Sequence, residues 1–340
     1  MALNEEVGLG LEFLNYYSDL TKKKFTLKEI NRVFGGASKE TYKVKLFDAN
    51  KEEVNLIYRR SQKSSLIETD QLTEYSAYLA FQDSSVPVPR TIAIEETSDK
   101  LGAPFIIMEE LKGSAASPFD SSAYSPFEEA IGKKFWKILA EITLKDISDP
   151  AFTNLDGPKD NEKPWKRELD HWVKVINSDS IGVEPILEAA IRHLYKKPPQ
   201  DSSRKCLVHG DYRNGNFLTE GEDITGILDW EMAHIGDPLE DLAWALSPIW
   251  SWEDHSKPAY LIDREEALRI WSRSSQIEID KEDLSWWELF SCVKGLAIWI
   301  SAGHEFTSGD NTDPINLFSA WIPGDIHTEI ILNTLEKELN

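Results

Sequence analysis

CLVHGDYRNGNFLTEGEDITGILDWE, residues 206–231, is a short strand-rich insert in a half of the chain that otherwise reads as helix. An apolar run from Cys206 to Val208 leads into a polar loop, and two further runs flank the turn at Glu220 to Asp223. The loop is His209-Gly210-Asp211-Tyr212-Arg213-Asn214-Gly215-Asn216, and nothing apolar explains its polar cluster, so chemistry is expected there. A carboxylate and a carboxamide five residues apart on a loop leaving a strand can face one site, Asp211 toward a substrate hydroxyl and Asn216 toward a metal. Phosphoryl transfer uses such a pair, because its loose transition state asks the protein chiefly to position the attacking hydroxyl and to neutralise phosphate charge through Mg²⁺. Asp229 stands thirteen residues after Asn216, at the end of the apolar strand Ile224 to Leu228, where it can bridge Mg²⁺ and the β- and γ-phosphates. Asp211 and Arg213 are therefore the candidate catalytic residues, with Asn216 and Asp229 the candidate metal ligands.

Upstream, the first third of the chain supplies a nucleotide half for such a site. Two β-like runs in FTLKEINRVFGGASKETYKVKLF are joined at Gly35 and Gly36, where backbone free of side chains can donate N–H groups to phosphates and Ser38 can add a hydroxyl. A third run ends in Leu56-Ile57-Tyr58-Arg59, placing Arg59 to reach α- and β-phosphates. A helix capped by Asp70 follows over QLTEYSAYLAFQ, with Leu72, Tyr75, Leu79 and, less regularly, Tyr78 as its apolar stripe and Glu74 as the partner of Arg59. Val86-Pro87-Val88-Pro89 forbids further helix, and TIAIEE and APFIIMEEL give two more strands. With an amphipathic stretch at Glu5 to Leu20 ahead of it, this is a small antiparallel lobe of five strands and one helix. From Lys112 the character changes: GSAASPFDSSAYSP is a connector, and helical patterns cover Phe127 to Lys145, Trp165 to Ile176, Val183 to Tyr195, Asp263 to Ser275, Lys281 to Ala302 and Pro314 to Lys337.

Charge and composition sort the possible classes. The chain has 340 residues, enough for two lobes with a cleft between them, and is 41% hydrophobic and 28% charged, as ordinary globular proteins are. Residues 1–112 hold 15 Lys/Arg and 18 Asp/Glu, the remainder 22 and 41, so the acidity lies almost wholly in the second part. All twelve tryptophans fall there too, at or after Trp136. Such a surface repels phosphate backbones and anionic lipids, which disfavours nucleic acid and membrane as partners. No apolar run approaches the ~18 residues that a membrane-spanning helix needs, and the start lacks a basic segment followed by an apolar one, so the expected compartment is the cytoplasm. Cys206 and Cys292 read as buried, reduced thiols.

The motifs HGDYRNGNF and ILDWEMAHIGDPLEDLAWAL, preceded in order by GGASKETYKV, LIYRR, VPVPR and PFIIMEELKG, resemble the aminoglycoside phosphotransferase (choline kinase-like) family within the protein-kinase-like fold. The resemblance covers roughly Leu27 to Ala302 and is nearest to the kinase-like domain fused to some acyl-CoA dehydrogenases. It implies an α+β, bilobal architecture, with an N-terminal nucleotide-binding lobe over 1–110 and a mainly helical catalytic and acceptor-binding lobe over 111–340. It also implies ATP with Mg²⁺ and a small-molecule hydroxyl acceptor. The adenine would be held at a hinge after Met108 by the backbone of Glu109 to Leu111, and Asp241 would buttress the catalytic loop. In two places the chain departs from protein kinases: Arg59 stands where they have lysine, and Trp230-Glu231 follows the metal aspartate in place of Phe-Gly.

Rival readings find less support. His209, Asp211, His234 and Asp237 could be drawn as a di-metal hydrolase set, but no His-x-His element accompanies them, and His209 reads better as a loop-orienting residue. No G-x-S-x-G elbow supports a serine hydrolase. Trp286, Trp287, Phe290 and Trp299 read as core packing before a ligand cage. The alternative from another class is a catalytically silent nucleotide-binding regulatory module, which the joint survival of base, metal ligands and phosphate cation disfavours. The acidic second part hints at a cationic acceptor, whereas the subgroup resemblance hints at a hydroxyacyl thioester.

Overall fold

Period-2 alternation builds the first part. In a computed structural model, which describes residues 2–33, 39–61, 71–117, 119–180, 182–200 and 204–339, strands β1 (Thr26–Val33), β2 (Lys39–Phe47), β3 (Glu53–Ser61), β4 (Thr91–Glu95) and β5 (Phe105–Glu109) form one antiparallel sheet. Its order is β1-β2-β3-β5-β4. Tyr42, Val44 and Leu46 of β2 and Leu56 and Tyr58 of β3 point to one face and bury against Phe13 and Tyr17 of helix α1 (Ala2–Thr21). Phe13 lies 5.1 Å from Tyr58, ring to ring. Residues of the alternate parity, Ile57 and Arg59 among them, must then face the other side, where helix α2 (Gln71–Phe81) packs.

Helix α2 corrects the expected stripe. Glu74, Ala77, Tyr78 and Phe81 are buried, while Leu79 is exposed. The reason is polar: the buried face is the one that brings Glu74 to Arg59 and the Tyr78 hydroxyl to the Asp229 backbone N–H (3.2 Å). Gly35, Gly36, Ser38 and the proposed cap Asp70 lie outside the described residues.

The second part is mainly helical: α3 (Glu128–Leu144), α4 (Pro164–Asp179), α5 (Pro185–Lys196), α6 (Pro238–Leu246), α7 (Arg264–Ser275), α8 (Lys281–Ser308) and α9 (Pro314–Leu339). Six of the seven match expected helical patterns, α8 running one and a half turns beyond Ala302. The exception is α6, all nine residues of which are buried, so that it has no polar face and hence no stripe to read. Among these helices sit strand β7 (Cys206–Val208), paired with β10 (His234–Gly236), and the hairpin of β8 (Phe217–Glu220) with β9 (Asp223–Ile227). The connector is not wholly irregular, since Ser114–Ala115 forms a strand, β6, that extends the hairpin through β8. Phe135 of α3 packs on Tyr212 (4.5 Å) and Phe217 (5.0 Å), which roots the polar loop in the main core. Trp286, Trp287 and Phe290 are buried in that same core, whereas Trp299 is half-buried and donates to His327 Nδ1 at 2.7 Å. Cys206 and Cys292 are buried and free. No helix of the described residues is long and apolar enough to cross a membrane.

Candidate active site

The loop between β7 and β8 is tied down residue by residue. Gly210 has φ +86°, and a Cβ there would come within 2.4 Å of the Met232 carbonyl oxygen, so only glycine lets the loop pass this close to the segment before β10. Asp241 on α6 accepts the His209 N–H (2.5 Å) and the Gly210 N–H (2.9 Å), and burial pushes its carboxyl up to about 6. The Asp211 N–H donates to His209 Nδ1 (3.2 Å); the ring proton must then sit on Nε2, which faces the Leu228 carbonyl at 3.0 Å. Burial holds this imidazole neutral, down at about 4. His209 thus links the residue that carries the expected base to the residue just before Asp229.

The Asp211 carboxylate receives three side chains. Oδ1 accepts from Trp244 Nε1 (2.8 Å) and Arg213 Nε (3.0 Å), and Oδ2 accepts from Asn216 Nδ2 (2.6 Å). With its amide nitrogen turned to Asp211, Asn216 presents its carbonyl oxygen elsewhere. The Leu228 N–H donates to the main-chain carbonyl of Asn216 (2.8 Å), so Asn216 and the Asp229 segment are held side by side. The Arg213 guanidinium lies over the Trp250 ring at 4.6 Å.

Asp229 follows β9 in the left-handed region, φ 68° and ψ 54°, a strained backbone for a residue with a side chain and one that redirects the carboxylate out of the strand line. Arg59 meets it at 2.5 Å, and the same guanidinium reaches Glu74 (3.1 Å) and Glu231 (3.4 Å). Burial raises the Asp229 carboxyl, but the charge and hydrogen bond of Arg59 override it, so the net direction is down. Glu231 is pushed up to about 7 by burial and by Asp229.

Sequence reasoning missed two members of this cluster. Glu231 was read only as a departure from Phe-Gly. Lys39, buried on β2, sends Nζ to 3.9 Å from both Glu74 and Glu231 and finds no hydrogen-bond acceptor among the described residues. Register explains it: Thr41 pairs with Arg59 across β2 and β3, so Lys39 is the diagonal neighbour of Arg59 on the same face. Trp244 was missed as well, as it lies on the helix that shows no stripe.

The remaining expected site residues have the following places. Met108 is buried in the main core at the end of β5. The Glu109 N–H is spent within the sheet, on the Arg90 carbonyl at 2.9 Å. Leu111 lies against β9, where a Cβ on Gly226 would meet its Cδ1 at 2.4 Å. The set His209, Asp211, His234 and Asp237 is dispersed: Asp237 caps α6 through the Leu239 N–H, and His234 turns to Glu240 (3.1 Å) and Glu168 (3.5 Å). Among the described residues, the ligand-type atoms within 4.8 Å of one another belong to Glu168, His234 and Glu240. Lys294 Nζ, 3.2 Å from Glu240, already supplies that group with a cation.

A five-stranded antiparallel lobe joined to a helical one, with a strand cation facing a helix glutamate and an Asp-Asn loop facing a post-strand Asp, defines an α+β, bilobal protein of the protein-kinase-like class. The chain belongs to the phosphotransferase enzyme family, whose profile matches residues 9–276. It is 28% identical over 215 residues to acyl-CoA dehydrogenase family member 10 of Mus musculus, a match covering 62% of this chain and 19% of that protein. The chain thus spans about a fifth of the length of the curated relatives it matches. In fold it is similar to a Ralstonia eutropha structure provisionally described as an aminoglycoside phosphotransferase, with TM-score 0.76 at 18% identity over 96% of this chain and 98% of that one. It is also similar to a thermostable mutant of aminoglycoside phosphotransferase APH(4)-Ia in complex with ADP and hygromycin B, with TM-score 0.60 at 14% identity over 94% and 98%.

Proposed function

We propose that this protein is a small-molecule kinase that moves the γ-phosphate of ATP to a hydroxyl of its acceptor. The observation that carries the reading is the Asp211 carboxylate, held by Trp244, Arg213 and Asn216 on a loop that β9 and Asp229 flank. The donors suit Mg²⁺, a hard cation that takes carboxylate and carboxamide oxygens; the side-chain carbonyl oxygen of Asn216 and the carboxylate of Asp229 would hold it. When bound, the ion would neutralise charge on the β- and γ-phosphates. Arg59 and Lys39 are the cations placed for the phosphates. The adenine would lie at the Glu109 to Leu111 hinge, using the Glu109 carbonyl because its N–H is taken. In this reading residues 1–110 form the nucleotide-binding lobe and residues 111–340 the catalytic and acceptor-binding lobe, with Gly35, Gly36 and Ser38 over the phosphates.

Asp211 orients the acceptor hydroxyl and takes its proton as the oxygen bonds to the γ-phosphorus and the bond to the β–γ bridging oxygen breaks, releasing ADP. Arg213 shares Asp211 and lies beside the incoming phosphoryl group. A neighbour's ADP and hygromycin B support a nucleotide and a small hydroxylated acceptor. The test is an ATP-consumption screen over hydroxylated amines, sugars and hydroxyacyl thioesters, with Asp211→Asn as control. ADP release that depends on one acceptor and vanishes in the control supports the reading. Nucleotide binding without turnover on any acceptor would favour a regulatory module instead.

A further inference from the structure

Lys294 is 1% exposed, at the centre of α8, 84 residues in sequence from Gly210. Burying an ammonium is costly, and methionine of nearly equal length would pack in its place without that cost, so a lysine here calls for a reason in what it holds. Its Nζ donates to the Gly210 carbonyl at 2.7 Å and to Glu240 Oε1 at 3.2 Å, and it stands over the Trp244 ring at 5.0 Å and the Trp172 ring at 5.8 Å. Gly210 is therefore pinned on both sides, its N–H by Asp241 and its carbonyl by Lys294. The carbonyl of Gly210 belongs to the peptide that begins Asp211. Trp244, the ring under the ammonium, is the indole that donates to Asp211 Oδ1.

A second set of bonds leads to the same loop. Glu240 Oε2 faces His234 Nε2, while His234 Nδ1 faces the Met232 carbonyl at 2.9 Å. That carbonyl is the atom that a Cβ on Gly210 would meet at 2.4 Å. With an acceptor at each ring nitrogen, His234 is a double donor, and Glu168 at 3.5 Å completes its counter-charge. Lys294, Glu240 and His234 thus grip Gly210 from its carbonyl side and from the neighbouring strand.

We propose that Lys294 is a positioning residue for phosphoryl transfer: by holding the Gly210 carbonyl and the face of Trp244, it sets where the Asp211 carboxylate stands. The proposal rests on the reading of Asp211 as proton acceptor, and it touches neither Arg59 nor Asp229, so nucleotide binding should not need it.

The experiment is Lys294→Met in the full chain, read in two ways. First, kcat should fall roughly tenfold to a hundredfold, as displacements of about an ångström do, while the KM for ATP and the thermal shift by Mg·ATP stay as in wild type. Second, the Trp244 indole N–H signal in a ¹H–¹⁵N spectrum, assigned by its loss in Trp244→Phe, should move away from its carboxylate-bonded position. Lys294→Arg, which restores a cation and a donor, should recover part of both. Should Lys294→Met not fold, Glu240→Gln, which removes the counter-charge of Lys294, should lower kcat by a smaller factor and shift the indole signal part of the way. Wild-type kcat together with an unmoved indole signal overturns the proposal, as does an equal loss in KM and kcat with the indole in place. The indole readout needs no acceptor, so it fails or holds independently of the kinase reading.

Discussion

The cluster around Arg59 and the loop around Asp211 are built from similar residue types, yet they differ in how completely their polar atoms are used. Around Arg59, three carboxylates (Glu74, Asp229, Glu231) face two cations, and Lys39 Nζ, Arg59 Nε and Glu74 Oε2 find no hydrogen-bond partner among the described residues. Around Asp211 three side chains converge on one carboxylate and Asp241 accepts two backbone N–H groups; Asn214 Oδ1 and Trp250 Nε1 are buried atoms left over at the loop's edge. A low-dielectric cluster with unfilled donors and excess negative charge is suited to receive a divalent cation and a polyanion together. A filled one is suited to hold a reacting group still. In the proposed reading, ligand uptake falls to the Arg59 side and chemistry to the Asp211 side.

The strongest way to break this division is Asp211→Asn. It keeps the side chain's shape and can keep the bond from Trp244, at the cost of the one from Asn216 Nδ2, while removing the proposed proton acceptor. Transfer should fall by roughly 10² to 10⁴, the usual range for a general base, with nucleotide-induced stabilisation retained. Initial rates on a verified acceptor check the first part and thermal shifts the second; wild-type turnover would remove Asp211 from the chemistry. On the other side, Asp229→Ala should abolish the Mg²⁺-dependent part of nucleotide stabilisation, whose total is about 2.7 kcal/mol at a hundredfold excess over Kd. An unchanged Mg²⁺ response in that variant would place the metal elsewhere.

The two sides also differed in how legible they were. The spacing from Asp211 to Asn216 and on to Asp229 is local, and a loop between short strands can be read from one segment. Arg59 and Glu74 were nameable because each stands on its own recognisable element. Lys39 was not, since its place depends on the register of β2 against β3, and Glu231 gained meaning only once Arg59 was seen to reach it. Trp244 and Lys294 were hidden for another reason. Helix α6 is buried all round and α8 nearly so over its middle, so neither shows a polar face against which an inward polar residue would stand out. The exposed Leu79 was misread by the reverse logic: on α2 the inward face is partly ionic, and counting apolar residues chose the wrong side.

A pair of milder variants sharpens the division. Lys39→Met leaves three carboxylates facing Arg59 alone, so the affinity for ATP should drop about tenfold, or about 1.4 kcal/mol, with a much smaller change in kcat at saturation. Trp244→Phe should do the converse, slowing turnover about tenfold through loss of one hydrogen bond to a charged group while ATP affinity holds. Titration calorimetry with Mg·ATP and steady-state rates read both. Equal effects of either variant on affinity and kcat would mean that the two sides act as one.

A last expected effect is on stability, and it tests whether the support beneath the loop is ionic. His234 is buried, which lowers its basicity, but Glu168 of α4 and Glu240 of α6 override burial and raise it to about 9, against an opposing push from Lys294 of α8. A histidine raised from about 6.5 binds its proton more tightly in the folded chain than in the unfolded one. Its contribution is therefore fully present below about pH 6.5 and is lost as pH climbs through 9. The loss should be on the order of 2 kcal/mol across that window. Urea unfolding at pH 6 and pH 9 measures it, and the difference between wild type and His234→Gln isolates His234 from other titrating groups. The variant should be less stable than wild type at pH 6 and nearly equal to it at pH 9. If the gap instead widens with pH, His234 is neutral in the folded chain, and the loop rests on packing and hydrogen bonds without the charge.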